Sequence, residues 1–227
     1  MGNTVGSMNA PFCNLFESSF KAYILGLWCA DGYHRTSSIG ISTVDLDILE
    51  NFYKFLITLF PQERLRLKFY YPPVSCTDGE LEWSKRVGKI FRYISGKALS
   101  LAYHLYVDSR PLLRSFREAR LQLSEATDKE ILSAYFAGRF DGDGSLAKNG
   151  LNDCRIVYSD FTEADIDKKL LGKLGIRKVN IYYYANAKTH CLYIFKKEVT
   201  NFLGRIQKYS IKLQRRAFIP RRDLVIS

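Results

Sequence analysis

The chain has 227 residues, room for one large domain or two small ones at about 150 residues per domain. Its 47% of hydrophobic residues is an ordinary globular share, which excludes wholesale disorder and collagen-like sequence, and no apolar run approaches the roughly 18 residues of a membrane helix. Lys and Arg number 34 against 23 Asp and Glu, a net charge of +11, which points to a polyanionic partner, nucleic acid first, with solubilising surface charge as the plainer alternative.

In chain order, residues 1–15 read as an N-terminal extension, with Met8 a possible second start. The opening lacks the basic-then-apolar pattern of a secretory signal, and Gly6 stands where a myristoylation signal has Ser or Thr. A helix begins near Ser18 or Ser19 and ends at Asp31, where Gly32 can take a left-handed cap. A strand follows near Ser38–Ser42. A second helix runs from a cap at Asp45 to Phe60, with Leu46, Leu49, Phe52, Tyr53 and Leu56 at helical spacing. Arg64 to Tyr71 alternates strictly: Arg64, Arg66, Lys68 and Tyr70 fall on one face, Leu65, Leu67, Phe69 and Tyr71 on the other, the mark of a half-buried strand.

The second half begins the same way. The boundary lies within Arg117–Thr127, dividing a first half at 16–120 from a second at 121–227. A capping box, Thr127-x-x-Glu130, opens a helix that ends at Asp143 with Gly144 as its cap. A strand at Arg155–Ser159 and a helix from Thr162 to Leu174 follow. Lys178 to Ala185 is another alternating strand, with Lys178, Asn180, Tyr182 and Tyr184 opposed to Val179, Ile181, Tyr183 and Ala185. Further on, Leu81-Glu-Trp-Ser-Lys-Arg aligns with Leu192-Tyr-Ile-Phe-Lys-Lys (192 − 81 = 111), Phe91 with Phe202, and the basic segment at Leu113-Arg114 with that at Ile211-Lys212. The reading for each half is helix, two strands, helix, two strands, helix: an α+β chain with mostly antiparallel strands.

The sharpest match is Ala22-Tyr-Ile-Leu-Gly-Leu-Trp-Cys-Ala-Asp-Gly32 with Ala134-Tyr-Phe-Ala-Gly-Arg-Phe-Asp-Gly-Asp-Gly144, offset 143 − 31 = 112, half the chain. On a helix, Ala22, Gly26 and Ala30 form one smooth stripe, as do Ala134, Gly138 and Gly142. A helical Gly costs about 1 kcal/mol against Ala, a cost that makes sense where two backbones approach closely. The stripes are expected to pack on each other about a pseudo-twofold axis, with Ala22, Gly26, Ala134 and Gly138 in the interface. That brings Asp31 and Asp143 together at the negative ends of two helix dipoles. Two carboxylates so placed repel unless a cation compensates.

All five cysteines, at 13, 29, 76, 154 and 191, are widely spaced without C-x-x-C, and the three histidines are scattered, so neither a zinc ribbon nor a histidine metal site is expected. Oxygen donors alone point to Mg²⁺, with Mn²⁺ or Ca²⁺ as substitutes in binding. A metal beside two carboxylates on a basic, pseudo-symmetric chain suits cleavage of both strands of a duplex. Asp141 has Cys29 as its counterpart, breaks the symmetry, and reads as structural, or as a support to the groups that touch the metal, rather than as a ligand.

Ile24 to Gly32 and Phe136 to Gly144 resemble the two copies of the LAGLIDADG motif, and over almost its whole length the chain resembles a monomeric two-motif LAGLIDADG homing endonuclease. The resemblance implies two αββαββα halves, motif helices packed at their interface, and saddle-shaped antiparallel sheets facing the DNA major groove. It implies Asp31 and Asp143 as metal ligands, joined by the carbonyls of Ala30 and Gly142. Cleavage across the minor groove would leave short 3′ overhangs. Trp28-Cys29 and Arg139 depart from the motif without removing a ligand. The resemblance also implies a basic residue near the scissile phosphates: Lys212 matches best, with Gln214 or Arg215 as alternatives and Arg114 or Arg117 in the first half. Such a group would polarise water or stabilise the pentavalent phosphate.

The polar strand faces would contact DNA through Arg64, Arg66, Lys68 and Tyr70, then Lys178, Asn180, Tyr182 and Tyr184, flanked by Arg35, Lys85, Arg155 and Lys188. Arg or Lys bonds guanine and Asn bonds adenine in the major groove, while phosphate contacts set register and salt dependence. The unequal ladders suggest an asymmetric target. An RNA-splicing maturase on intron RNA and a non-catalytic basic binding module are the alternatives. Free thiols and the lack of an export signal suggest a reducing, DNA-containing compartment, prokaryotic cytoplasm or organellar matrix.

Overall fold

A computed structural model describes residues 12–72, 80–96, 100–147 and 153–215; Cys76 and most of the expected N-terminal extension lie outside them. Within residues 12–15, Cys13 and Leu15 are buried, and the Cys13 amide donates to Ser115 Oγ at 3.1 Å.

At the centre stand two helices, α1 (Ser19–Asp31) and α5 (Lys129–Asp143). Both are buried nearly all round, α1 from Ala22 to Trp28 and α5 from Leu132 to Asp141, as befits helices packed on every side. The expected stripe contact is present. A Cβ on Gly26 would lie 2.0 Å from the Tyr135 carbonyl oxygen, and one on Gly138 would lie 2.1 Å from that of Tyr23. Ala22 and Ala134 are fully buried beside them. The two backbones therefore touch where the side chains vanish.

Around this pair the first half adds β1 (Gly32–His34), β2 (Ser38–Thr43), α2 (Leu46–Ile57), β3 (Arg66–Tyr71), α3 (Glu80–Ser84), β4 (Lys89–Ile94), β5 (Ala102–Asp108) and α4 (Arg110–Gln122). The second half adds β6 (Gly144–Leu146), β7 (Asp153–Tyr158), α6 (Phe161–Lys173), β8 (Val179–Tyr184), β9 (Thr189–Phe195), α7 (Lys196–Ile206) and a last short helix, α8 (Ile211–Arg215). The sheets run β1-β2-β5-β3-β4 and β6-β7-β9-β8. The second follows the expected element order. In the first, α3 and β4 intervene between β3 and β5, and β4 joins the edge parallel to β3 while every other pairing is antiparallel.

That insertion corrects the downstream alignment. Leu81–Ser84 is helical whereas Leu192 is in β9, and Phe91 is in β4 whereas Phe202 is in α7. The strand that matches β9 is β5, offset 189 − 102 = 87, and the helix that matches α4 is α7. Leu113-Arg114 therefore has no counterpart in Ile211-Lys212, which lies one helix further on. Arg64 is also corrected: it sits in a 3-10 turn before β3, its guanidinium 4.8 Å from the Phe60 ring centroid and donating to the Asp108 carbonyl at 2.8 Å.

The helix ends differ from expectation in four places. Asp128, not Thr127, caps α5, because its carboxylate accepts from the amides of Glu130 and Ile131 at 2.7 and 3.2 Å. Asp160, not Thr162, caps α6. Gly32 (φ −67°) and Gly144 (φ −87°) are extended rather than left-handed, so each motif helix passes straight into a strand. Glycine is required there for space, since a Cβ on Gly32 would lie 2.0 Å from the Trp28 carbonyl oxygen. In α2, capped by Asp45 as expected, Leu46 is exposed while Leu49, Phe52, Tyr53 and Leu56 are buried.

Candidate active site

The C-terminal ends of α1 and α5 carry the acidic pair. Gly142 lies so close to the first motif that a Cβ there would stand 2.3 Å from Ala30 Cβ and 3.2 Å from Asp31 Oδ2. The Asp31 carboxylate thus reaches the last turn of the opposite helix. Burial pushes the Asp31 carboxyl up to about 6, helped by repulsion from Asp143 and opposed by Lys212 and Arg139. Burial also raises Asp143, against the same two cations.

Lys212, on α8, is the basic residue the fold brings to this point. Its Nζ donates to the carbonyl of Gly142 at 3.1 Å and approaches those of Phe140 and Gly144 at 3.4 and 3.5 Å, the negative end of the α5 dipole. Half burial lowers its pKa, against the pull of Asp141, Asp31 and Asp143. The alternatives point elsewhere. Gln214 donates to the carbonyls of Gln207 and Lys208 at 3.4 and 2.9 Å. Arg215 pairs with Asp45 at 2.6 Å and with Asp47. Arg114 and Arg117 are exposed on α4, and Arg117 acts instead on His34.

Two residues of the second motif have partners that the sequence pattern left unread. Asp141 is buried and accepts four hydrogen bonds, from Tyr23, Ser210, Ile211 and Lys212. Arg139 is 1% exposed; its guanidinium stacks 4.3 Å over the Tyr158 ring and its Nε stands 3.3 Å from Asp167 Oδ2, an ion-pair distance without hydrogen-bond alignment. Asp167 in turn accepts from Tyr135 at 3.0 Å and Tyr158 at 2.7 Å. The unusual motif charge is thus a paired core cation that also borders a cleft of about 250 Å³ with Ala30 and Asp143.

The oxygen groups that the structure places at these helix ends are the two carboxylates and the Gly142 carbonyl. Among the described residues no group of three or more His, Cys, Asp or Glu side chains is placed to hold a metal ion. An all-oxygen set with two raised carboxyls fits a hard divalent cation. The Gly142 carbonyl already accepts from Lys212 and has a second lone pair to give.

The sheets' outer faces flank the site. Arg66, Lys68 and Tyr70 share theirs with Tyr33, His104 and Tyr106, by pairing register. Lys68 Nζ sits 4.9 Å from the Tyr106 ring centroid, and Arg35 lies 5.7 Å over Tyr33. His104 meets Tyr33 edge-on, ring centroids 3.9 Å apart, and burial, with Lys68 and Arg35, holds its pKa down at about 4. The Ala102-His104-Tyr106 alternation was present in the sequence as a signal for this row. In the second sheet Asn180, Tyr182 and Tyr184 share a face with Arg155 and Tyr193. Asn180 Nδ2 donates to Tyr182 Oη at 3.3 Å, and Arg155 pairs with Asp153 and lies 4.5 Å over Tyr193. Lys178, Lys188, Lys85 and Arg35 are exposed around these faces.

No protein-family model and no curated protein matches the chain. Among solved structures it is similar to I-DmoI in complex with DNA and Mn, at 16% identity and TM-score 0.57, covering 85% of this chain and 97% of that one. It is also similar to mesophilic variants of the homing endonuclease I-DmoI, at 16% identity and TM-score 0.56, covering 83% and 94%. A third likeness is the N-terminal LAGLIDADG domain of DUF199/WhiA, at 19% identity and TM-score 0.54, covering 91% and 90%. The fold is that of the LAGLIDADG proteins. Further structures are of a variant of I-DmoI with its target DNA in the presence of Mg and of I-DmoI with DNA and Ca. The two aspartates of this chain sit at the ends of the paired helices at the centre of that fold.

Proposed function

We propose that this chain is a divalent-metal-dependent, site-specific DNA endonuclease that makes a double-strand break with short 3′ overhangs in a long asymmetric target, as in intron or intein mobility. The observation that carries this reading is the meeting of Asp31 and Asp143, one from each half, at touching helix ends between two sheets with polar, cationic outer faces. I-DmoI and the WhiA domain share the fold under different names, so the fold alone does not choose a reaction.

In this reading Asp31, Asp143 and the carbonyls of Ala30 and Gly142 hold Mg²⁺, with Mn²⁺ or Ca²⁺ as substitutes in binding. The cation when bound activates water and stabilises the leaving oxygen of a phosphodiester. The Lys212 ammonium, held beside the pair, offsets negative charge developing on the phosphate. Arg66, Lys68, Tyr70, Asn180, Tyr182, Tyr184 and Arg155 face base edges, and Arg35, Arg64, Lys85, Lys178 and Lys188 face phosphates. Because one chain supplies both halves, the active species is a monomer.

The test is incubation of the full chain with Mg²⁺ and a library of duplexes, followed by mapping of breaks. Asp31→Asn and Asp143→Asn should each abolish cutting while duplex binding in Ca²⁺ persists. Binding with no defined break by the unaltered chain would reassign the protein as a DNA-binding module.

A further inference from the structure

Helix α8 spans only Ile211–Arg215, too short to hold its shape alone, so its position depends on long-range contacts. Asp141 of α5 supplies the central one. Its carboxylate accepts from the Ser210 hydroxyl at 2.5 Å, the Ile211 amide at 2.7 Å and the Lys212 amide at 3.3 Å. A fourth bond comes from the other half, from the Tyr23 hydroxyl of α1 at 2.9 Å. Ser210 Oγ in turn accepts from the Leu213 amide at 3.2 Å, and the Leu213 side chain is fully buried. At the far end of α8, Arg215 reaches Asp45 of the first half. The ammonium of Lys212 then returns to the carbonyls of the α5 turn that carries Asp141. The same helix thus holds this lysine at its amide and receives it at its ammonium.

We propose that Asp141 is the positioning residue for Lys212, latching α8 across both motif helices so that one ammonium is aimed at the acidic pair. Cys29 occupies the corresponding place in the first motif, and a thiol cannot accept four such bonds. The latch is therefore one-sided by sequence. The catalytic meaning of the latch rests on the nuclease reading above; the latch as a structural device does not.

The experiment uses the full chain and four variants: Asp141→Asn, Ser210→Ala, Lys212→Met and the Asp141→Asn/Lys212→Met double. Ser210→Ala weakens the latch from α8 and leaves the motif intact. Amide hydrogen exchange is measured without DNA, and single-turnover cleavage on a duplex selected from the library. Exchange at residues 211–213 should rise about tenfold or more in Asp141→Asn and Ser210→Ala. Asp141→Asn and Lys212→Met should each slow cleavage by about 10²–10³-fold. The double variant should be no slower than Lys212→Met, because residues that act as a unit are not additive. Duplex affinity in Ca²⁺ should stay the same throughout. Unchanged exchange at 211–213 overturns the latch. Opened exchange with undiminished cleavage, or a double variant slowed by the product of the two singles, overturns the link to Lys212. If the unaltered chain cuts no duplex, the nuclease reading fails with it, while the exchange measurement still decides the latch.

Discussion

Replacing Asp31 by Asn should make the metal-free protein more stable while destroying its proposed activity. Burial and the nearby Asp143 move the Asp31 carboxyl from 3.8 to about 6, about two units at 1.36 kcal/mol each, or roughly 3 kcal/mol. Partial exposure and coupling to Asp143 reduce the usable effect to about 2 kcal/mol. The native state binds the Asp31 proton more tightly than the unfolded chain does. Stability is therefore lost as pH rises from about 4 to about 6, and the penalty is complete above that window. In EDTA at neutral pH, Asp31→Asn should melt about 5 °C above the unaltered protein, at 2–4 °C per kcal/mol for a chain of this size. The gap should close near pH 4. Saturating Mg²⁺ should narrow it at neutral pH, because a ligand that binds only the native state stabilises in proportion to its occupancy. Differential scanning calorimetry across pH, with and without Mg²⁺, reads all of this. A variant that melts lower in EDTA, or a gap independent of pH, would refute the argument that the pair is strained by its own charge.

Further predictions concern the scaffold and the DNA face. Gly138→Ala should cost about 3 kcal/mol or more, since its Cβ would meet backbone atoms at 2.1 and 2.6 Å; Gly172→Ala, with nothing within 4 Å in the last turn of α6, should gain about 0.5 kcal/mol, and thermal melts of the two check the contrast. Asp167→Ala should cost about 3–5 kcal/mol by stranding the buried Arg139 guanidinium, measured by urea unfolding. Duplex affinity should fall steeply and linearly on a log–log plot against salt, and Lys68→Ala should either reduce the slope by about one, as a phosphate contact, or relax base preference at one position; a salt-independent binding constant would rule out the charged-sheet interface.

What could be read from residues alone was whatever depends on short-range pattern. Each Gly-striped motif is complete within eleven residues and recurs 143 − 31 = 112 positions on, so the helix pair, its contact face and the meeting of Asp31 with Asp143 followed from spacing. The Arg66-Lys68-Tyr70 and Asn180-Tyr182-Tyr184 faces followed from period two, and Asp45 as a cap from one side chain. Downstream of β3 the same method failed, because α3 and β4 are inserted there and the two halves lose their common offset. Thr127 lost its capping role to Asp128, one residue away and a better acceptor.

The sequence by itself determined the two-half plan, the α+β element order of the second half and the delivery of two carboxylates to one point, since each rests on periodicity that any chain with those residues must express. Only the tertiary structure decided that Arg139 is a core cation, that Asp141 is a four-fold acceptor, and that Lys212 rather than Arg114, Gln214 or Arg215 stands at the acidic pair. The Asp141 and Lys212 assignments join residues about 70 to 120 positions apart, and Arg139 meets Tyr158 and Asp167 of later elements, 158 − 139 = 19 and 167 − 139 = 28 positions on. Their partners are chosen by how helices pack and how a buried charge finds donors, and no local pattern encodes that choice.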